Sequence, residues 1–303
     1  MYKGPLVSVA MTTYNGEKYL RYQLNSILQQ TYQNLEIIIT DDASTDSTRQ
    51  ILEHFAKSNP QIRIFCNPVN QGITASFERS IRNCRGSYIA ISDQDDIWDS
   101  YKLEILMDTI ANEDAIYSDS ELVNKYGHPI NKLISSFVNV RSYYSGIPFL
   151  MGICLPGHTL LLQGDFARYI LPIPRIMMYD RWISFCAAAN NGIKYLDLPL
   201  VKYRQHESNR FGVGKKRNKA DRVSAEQKFN IKLQELRAFE HAPIRDQETK
   251  KLLGEMLAKY TSKPSLSRSI FFFKNRHRLL AIKKKNSLRK ILYCIKMFFK
   301  ANY

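Results

Sequence analysis

Short apolar runs alternate with amphipathic stretches through the first hundred residues. Residues 6–11, 35–40, 63–65 and 88–91 are nearly continuous in Val, Ile, Leu, Phe and Ala, the pattern of strands covered on both faces. Between them apolar positions recur at helical spacing. Leu20, Leu24, Ile27 and Leu28 mark a helix over about residues 17–29; Ile51, Leu52 and Phe55 mark another over 47–57, with Asp46 or Ser47 as its N-cap; Phe77 and Ile81 mark a third. Strands alternating with helices predict a parallel sheet with right-handed crossovers.

Polar chemistry collects where each run ends. The first gives Thr12-Thr13-Tyr14-Asn15-Gly16, the second Asp41-Asp42-Ala43-Ser44-Thr45-Asp46, the third Asn70-Gln71-Gly72 a few residues on, and the fourth Asp93-Gln94-Asp95-Asp96. Ligands of open α/β sheets bind beyond the carboxyl ends of the strands, so these loops are expected to share one edge. Three carboxylates in four residues repel one another unless a cation lies among them, and hard oxygen donors favour Mg2+ or Mn2+. An EF-hand is excluded: with Asp93 first, the turn position that requires Gly is Trp98.

These motifs, in this order and spacing, resemble the family 2 glycosyltransferases of the GT-A fold. The resemblance spans most of the first 210 residues and rests on Val7-Ser8-Val9 with Tyr14-Asn15, Gln29-Gln30-Thr31-Tyr32, Asp41 to Asp46, Asn70-Gln71-Gly72, Gly86-Ser87-Tyr88-Ile89, Asp93 to Asp96 with Trp98, Asp180-Arg181-Trp182 and Tyr203-Arg204-Gln205-His206. The Ser-Asp-Gln-Asp-Asp-Ile-Trp form is similar to that of bacterial rhamnosyltransferases of surface polysaccharide synthesis.

The resemblance implies an α/β fold, a Rossmann-like mixed sheet flanked by helices, over residues 1–210, followed by a basic, mainly helical region, 211–303. It implies an inverting transferase that moves a sugar from a dTDP- or UDP-linked donor to a hydroxyl of a growing, lipid-linked saccharide. Asp41 or Asp42 would hold the base, with Thr12, Tyr14 and Gly72 beside the nucleotide. Asp95 would meet a Mn2+ or Mg2+ ion, with Asp93 nearer the ribose or the metal's waters and His206 as a further ligand. Asp180 would be the general base. Arg204, His158, Trp98 and Trp182 would line the donor and acceptor pocket, the tryptophans by stacking on sugar rings or else by closing the core.

Charge divides the chain. Residues 1–210 carry 20 Lys+Arg against 21 Asp+Glu, whereas 211–303 carry 24 against 7. Residues 263–303 hold 12 basic residues and no acid, interleaved with Ile270, Phe271, Phe272, Phe273, Leu288, Ile291, Leu292, Ile295, Phe298 and Phe299. Basic amphipathic helices over about 265–300 are expected to lie on an anionic membrane surface, while the Gly- and Lys-rich stretch 211–222 reads as a joint or lid. No apolar stretch is long and unbroken enough to span a bilayer, and the start runs directly into a strand without a signal peptide. Five cysteines in no metal-binding spacing suit a reducing compartment, so the expected location is cytoplasmic, on the inner membrane face.

Two other classes compete. A nucleotidyltransferase would need a Gly-rich, Arg-containing loop after the first strand, which Thr12 to Gly16 is not. A non-catalytic polyanion-binding protein on a degenerate enzyme fold would attract phosphates to its basic tail; no nucleic-acid motif supports it, and no nucleic-acid partner is expected.

Overall fold

The computed structural model describes residues 4–152, 155–207, 209, 224–261, 266–284 and 286–299. The expected joint at 211–222 therefore lies outside the described residues.

The first half follows the sequence pattern: β1 (Val7–Thr13), α1 (Leu20–Leu28), β2 (Leu35–Asp41), α2 (Thr48–Ser58), β3 (Ile62–Cys66), α3 (Ile73–Asn83) and β4 (Tyr88–Ser92). These strands pair in parallel in the order β3-β2-β1-β4. Side chains alternate between two covered faces, which is why the runs are apolar throughout. Val7, Val9, Met11, Ile37 and Ile39 pack against Leu20 and Leu24 of α1 and Leu52 of α2, whereas Ala10, Ile38, Ile89 and Ile91 meet Phe77 and Ile81 of α3 on the other side. The first helix begins three residues later than its spacing predicts, because the carbonyl of Gly16 first closes a turn with the amides of Tyr19 and Leu20.

Beyond β4 come β5 (Ile97–Trp98), α4 (Lys102–Thr109), β6 (Ala115–Val123), β7 (Pro129–Leu133), β8 (Leu160–Gln163), α5 (Gly164–Tyr169), α6 (Tyr179–Ala188) and β9 (Ile193–Arg204). They extend the sheet as β4-β8-β6-β9-β5, with β7 on β6. Here directions mix: β8 is antiparallel to β4 and β6, β9 is parallel to β6, and β5 is antiparallel to β9. The result is a mixed sheet flanked by helices.

Five helices follow, α7 (Ala225–Glu240), α8 (Gln247–Thr261), α9 (Leu266–Lys274), α10 (Arg276–Leu279) and α11 (Ser287–Phe299). A capping box fixes the start of α7: the Ser224 hydroxyl accepts the Gln227 amide, and the Gln227 side chain accepts the amide of Ser224. Leu236 and Phe239 of α7, Leu253 and Met256 of α8 and Phe272 of α9 are buried in the same apolar cluster as Phe149, Trp182 and Phe185. The basic region thus shares its core with the sheet. Among the described residues no helix is long and apolar enough to cross a membrane.

Candidate active site

The carboxyl ends of the parallel strands meet as expected, and they are fastened by side chains that the motifs supply. Asp41 Oδ1 accepts hydrogen bonds from Thr13 Oγ1 at 2.8 Å and Ser44 Oγ at 2.5 Å, and Oδ2 accepts the Ser44 amide at 3.0 Å. Asp42 reaches the other way: Oδ1 accepts Asn67 Nδ2 and the Gln71 amide, and Oδ2 accepts the Gly72 amide at 2.8 Å. Gly72 sits at φ 84°, a left-handed conformation that a side chain would strain, and this aims its amide at Asp42. The two loops also clasp through Asn15, whose Oδ1 accepts the Thr45 amide. Asp46, rather than Ser47, caps α2, accepting both the amide and the hydroxyl of Thr48.

The acidic loop after β4 is tied to the same edge. Gln94 accepts the Tyr14 amide at 2.9 Å and donates to the Tyr14 carbonyl at 3.1 Å. Gly16 leaves room for the Gln94 amide, which a Cβ at this position would push aside. Asp95 Oδ2 and His206 Nε2 stand 2.8 Å apart. The imidazole is placed by its own turn, in which Asn209 accepts the His206 amide and donates to the Arg204 carbonyl.

A second set of potential metal donors lies beneath. Among the described residues, ligand atoms of Asp93, Asp96 and His158 lie within 4.8 Å of one another. Asp96 is fully buried; Oδ1 accepts the Arg204 amide at 3.0 Å, while Oδ2 has no hydrogen-bond partner among the described residues. His158 Nε2 is 2.7 Å from Ser120 Oγ, and the ring stacks on Tyr203. Lys102 is also fully buried, donating to the His158 carbonyl at 2.8 Å with its ammonium 3.4 Å from the centre of the Trp98 ring.

Burial disfavours every charge in this set. It raises Asp96 well above the carboxylate range, with the charges of Asp95 and Asp93 adding to the effect, and pushes Asp93 up to about 7, again reinforced by Asp95. Burial, then Lys102, pushes His158 down to about 3, and Lys102 itself falls despite the pull of Asp96 and Asp93. An orphaned carboxylate oxygen and crowded acids beside a neutral imidazole are a donor set that suits a divalent cation, which would offset the repulsion.

Asp180 lies in the first turn of α6, where Oδ1 accepts the Arg181 amide at 2.7 Å. The preceding Tyr179 donates to Asp93 Oδ1 at 3.2 Å, and the charge of Asp180 is felt at Asp93. Arg181 turns away from Asp180. Its guanidinium pairs with Glu235 of α7 at 2.6 Å, donates to the carbonyls of Phe149 and Leu150, and lies over Phe239.

The four residues expected at the donor and acceptor pocket sit as follows. Trp98 is buried against α1 and α4 with its amide donating to Ser26 Oγ, and Trp182 donates to the Ile170 carbonyl and stacks on Phe239, so both close the core. His158 lies under the acidic loop. Arg204 donates to the carbonyls of Asp95 and Lys125 and lies over the rings of Tyr19 and Tyr22, so it shapes the loop from behind. Thr12 is buried at the strand end and Tyr14 is exposed. Lys102, Tyr179 and Asn209 join this group from outside the motifs.

Comparison with known proteins agrees with this geometry. The model of "Glycosyl transferase family 2" matches residues 8–164. The chain is 30% identical over 216 residues to a dTDP-rhamnosyl transferase, RfbG, of Shigella flexneri, covering 67% of this chain and 73% of that one. It is 32% identical over 211 residues to an Escherichia coli UDP-Glc:alpha-D-GlcNAc-diphosphoundecaprenol beta-1,3-glucosyltransferase, WfgD, covering 67% and 78%. The fold is similar to that of S. aureus TarS 1-349, solved with UDP-GlcNAc, at a TM-score of 0.61 and 18% identity over 97% of this chain and 81% of that one. The chain belongs to glycosyl transferase family 2 and is an enzyme of glycosyl transfer with the GT-A architecture.

Proposed function

We propose that the protein transfers a sugar, with inversion, from a nucleotide-diphosphate donor to a hydroxyl of a growing surface polysaccharide carried on a lipid. The observation that carries this reading is the Tyr179–Asp93 hydrogen bond, which ties the helix bearing Asp180 to the acidic loop. A donor seated over the β1, β2 and β4 loops would thereby present its anomeric carbon toward Asp180. The names of the two relatives support dTDP-rhamnose or a UDP-hexose as donor.

In this reading one of Asp41 and Asp42 accepts the N3–H of the base, and Thr12, Tyr14, Gly72 and Asp93 face the nucleotide. Asp95 and His206, with Asp93, would hold Mn2+ or Mg2+, which when bound supplies charge stabilisation for the leaving diphosphate. Asp180 takes the proton of the acceptor hydroxyl as the oxygen–carbon bond forms and the bond to the nucleotide diphosphate breaks.

The test is calorimetric titration of UDP- and dTDP-sugars with Mn2+ or with EDTA, on the native protein and on Asp95→Ala. Metal-dependent binding of a donor by the native protein that Asp95→Ala abolishes supports the assignment. Binding indifferent to metal removes the cation role, and no binding by any donor removes the UDP- and dTDP-sugar assignment.

A further inference from the structure

Helices α9 and α11 pack on one another, and each buries one side in the common core through Phe271, Phe272 and Cys294. Their other sides are open. On α9 the exposed large residues are Leu266, Ile270 and Phe273; on α11 they are Leu288, Leu292 and Ile295, and these six are 42% to 70% accessible. Both triplets follow the i, i+4, i+7 spacing of a single helical stripe. A packed helix pair with two unburied apolar stripes is a surface that a partner covers.

Charge selects the partner. Residues 263–303 contain 12 Lys+Arg and no acid. Next to the start of α11, a groove of about 300 Å3 between the loop after β7 and residues 281–284 is lined by Asn139, Arg141 and Lys284. A second copy of the chain would bring the same positive charge against this face, and a nucleic acid would leave the six apolar side chains uncovered. An anionic bilayer answers both features, with acyl chains for the stripes and lipid phosphates for the basic rim and groove.

We propose that α9 and α11 form a docking surface for anionic phospholipid, with the stripes entering the headgroup boundary and Arg141 and Lys284 receiving a lipid phosphate. This stands apart from the donor chemistry, and its test reads no activity. The full chain is floated with phosphatidylcholine vesicles and with vesicles that also contain phosphatidylglycerol. It should partition onto the anionic vesicles alone, in a salt-sensitive manner. The triple variant Leu288→Asp, Leu292→Asp, Ile295→Asp, altered only at exposed positions, should keep the native unfolding temperature and lose at least ~10-fold in partitioning. Arg141→Glu with Lys284→Glu should lower the salt concentration at which binding is lost. Native protein that stays off anionic vesicles, a triple variant that binds as well as native, a native dimer that the triple variant dissolves, or tight binding to duplex DNA that the triple variant retains would each overturn the proposal.

Discussion

The two halves of the sheet hold their polar groups by different means. On the parallel side, Asp41 and Asp42 each accept three hydrogen bonds from their own and neighbouring loops, so the proposed nucleotide edge is built before any ligand arrives. On the mixed side the polar groups are held by buried charge: Lys102 beneath His158 and Trp98, Asp96 with one oxygen lacking a hydrogen-bond partner among the described residues, and Arg181 bridging to Glu235. The first arrangement is complete in itself, whereas in the second burial holds Asp96 above its ordinary range and Lys102 below it, so that a bound cation would relieve it. A nucleotide would therefore find a finished seat, and the chemistry would be assembled beside it.

The sharpest break in this comparison is on the catalytic side. Asp180→Asn should leave donor binding unchanged and lower turnover by about 1,000-fold, within the range of a lost general base; near-native turnover in a single-turnover assay would dismiss Asp180 from that role. Next comes the seam. Arg181→Met leaves Glu235 with Lys232 as its remaining partner and should cost about 3 kcal/mol in denaturant unfolding, the low end for a broken buried pair, while Arg181→Met with Glu235→Leu should recover part of that loss. An additive double variant would show that the pair is not coupled.

On the parallel side smaller effects are expected. Asp42→Asn turns an amide donor either toward the Gly72 amide or toward the Asn67 side chain and Gln71 amide, and should cost about 1–3 kcal/mol and loosen the 67–72 loop in hydrogen exchange. Unchanged protection there would mean the loop is held otherwise. The smallest change is Asp46→Ala, about 1 kcal/mol for a lost cap. Against the raising effect of burial, hydrogen bonds from Thr48 and Glu17 hold the Asp46 carboxyl below its ordinary value. Its contribution is thus present at neutral pH and lost as pH falls through the carboxylate range, so native and variant stabilities should converge in acid. A gap that persists in acid would assign the loss to packing instead.

The parallel half was legible because both of its signals are local: continuous apolar runs mark the strands, and each loop motif supplies the side chains that fasten it. The Asp95–His206 pairing was also legible, although 111 residues separate the two, through the resemblance alone. For Trp98 and Trp182 the sequence leaves sugar stacking and core closure both open, and for His158 and Arg204 it does not show which partners they meet. An aromatic ring or a cation beside an acid reads the same in sequence whether it faces a cleft or the core, and only the crossing of β9 behind the acidic loop decides it. Lys102 escaped notice for the opposite reason, since a lone Lys early in a helix reads as a solvated residue until the fold closes over it. The tail was read correctly as basic and helical, but its buried residues are placed by long-range packing that no local period reports.

The Arg181–Glu235 bridge also bears on modularity. It joins the residue next to Asp180 to a helix beyond the expected joint, and Phe239 covers Trp182 and Phe185 at the same place. Fragments exchanged between relatives at residue 210 would pair one lineage's α6 with another's α7, leaving a buried guanidinium without its carboxylate wherever the new α7 lacks Glu235. Cross-overs that keep both helices from one parent should yield folded chimeras, so recombination in this family is expected to move the two together.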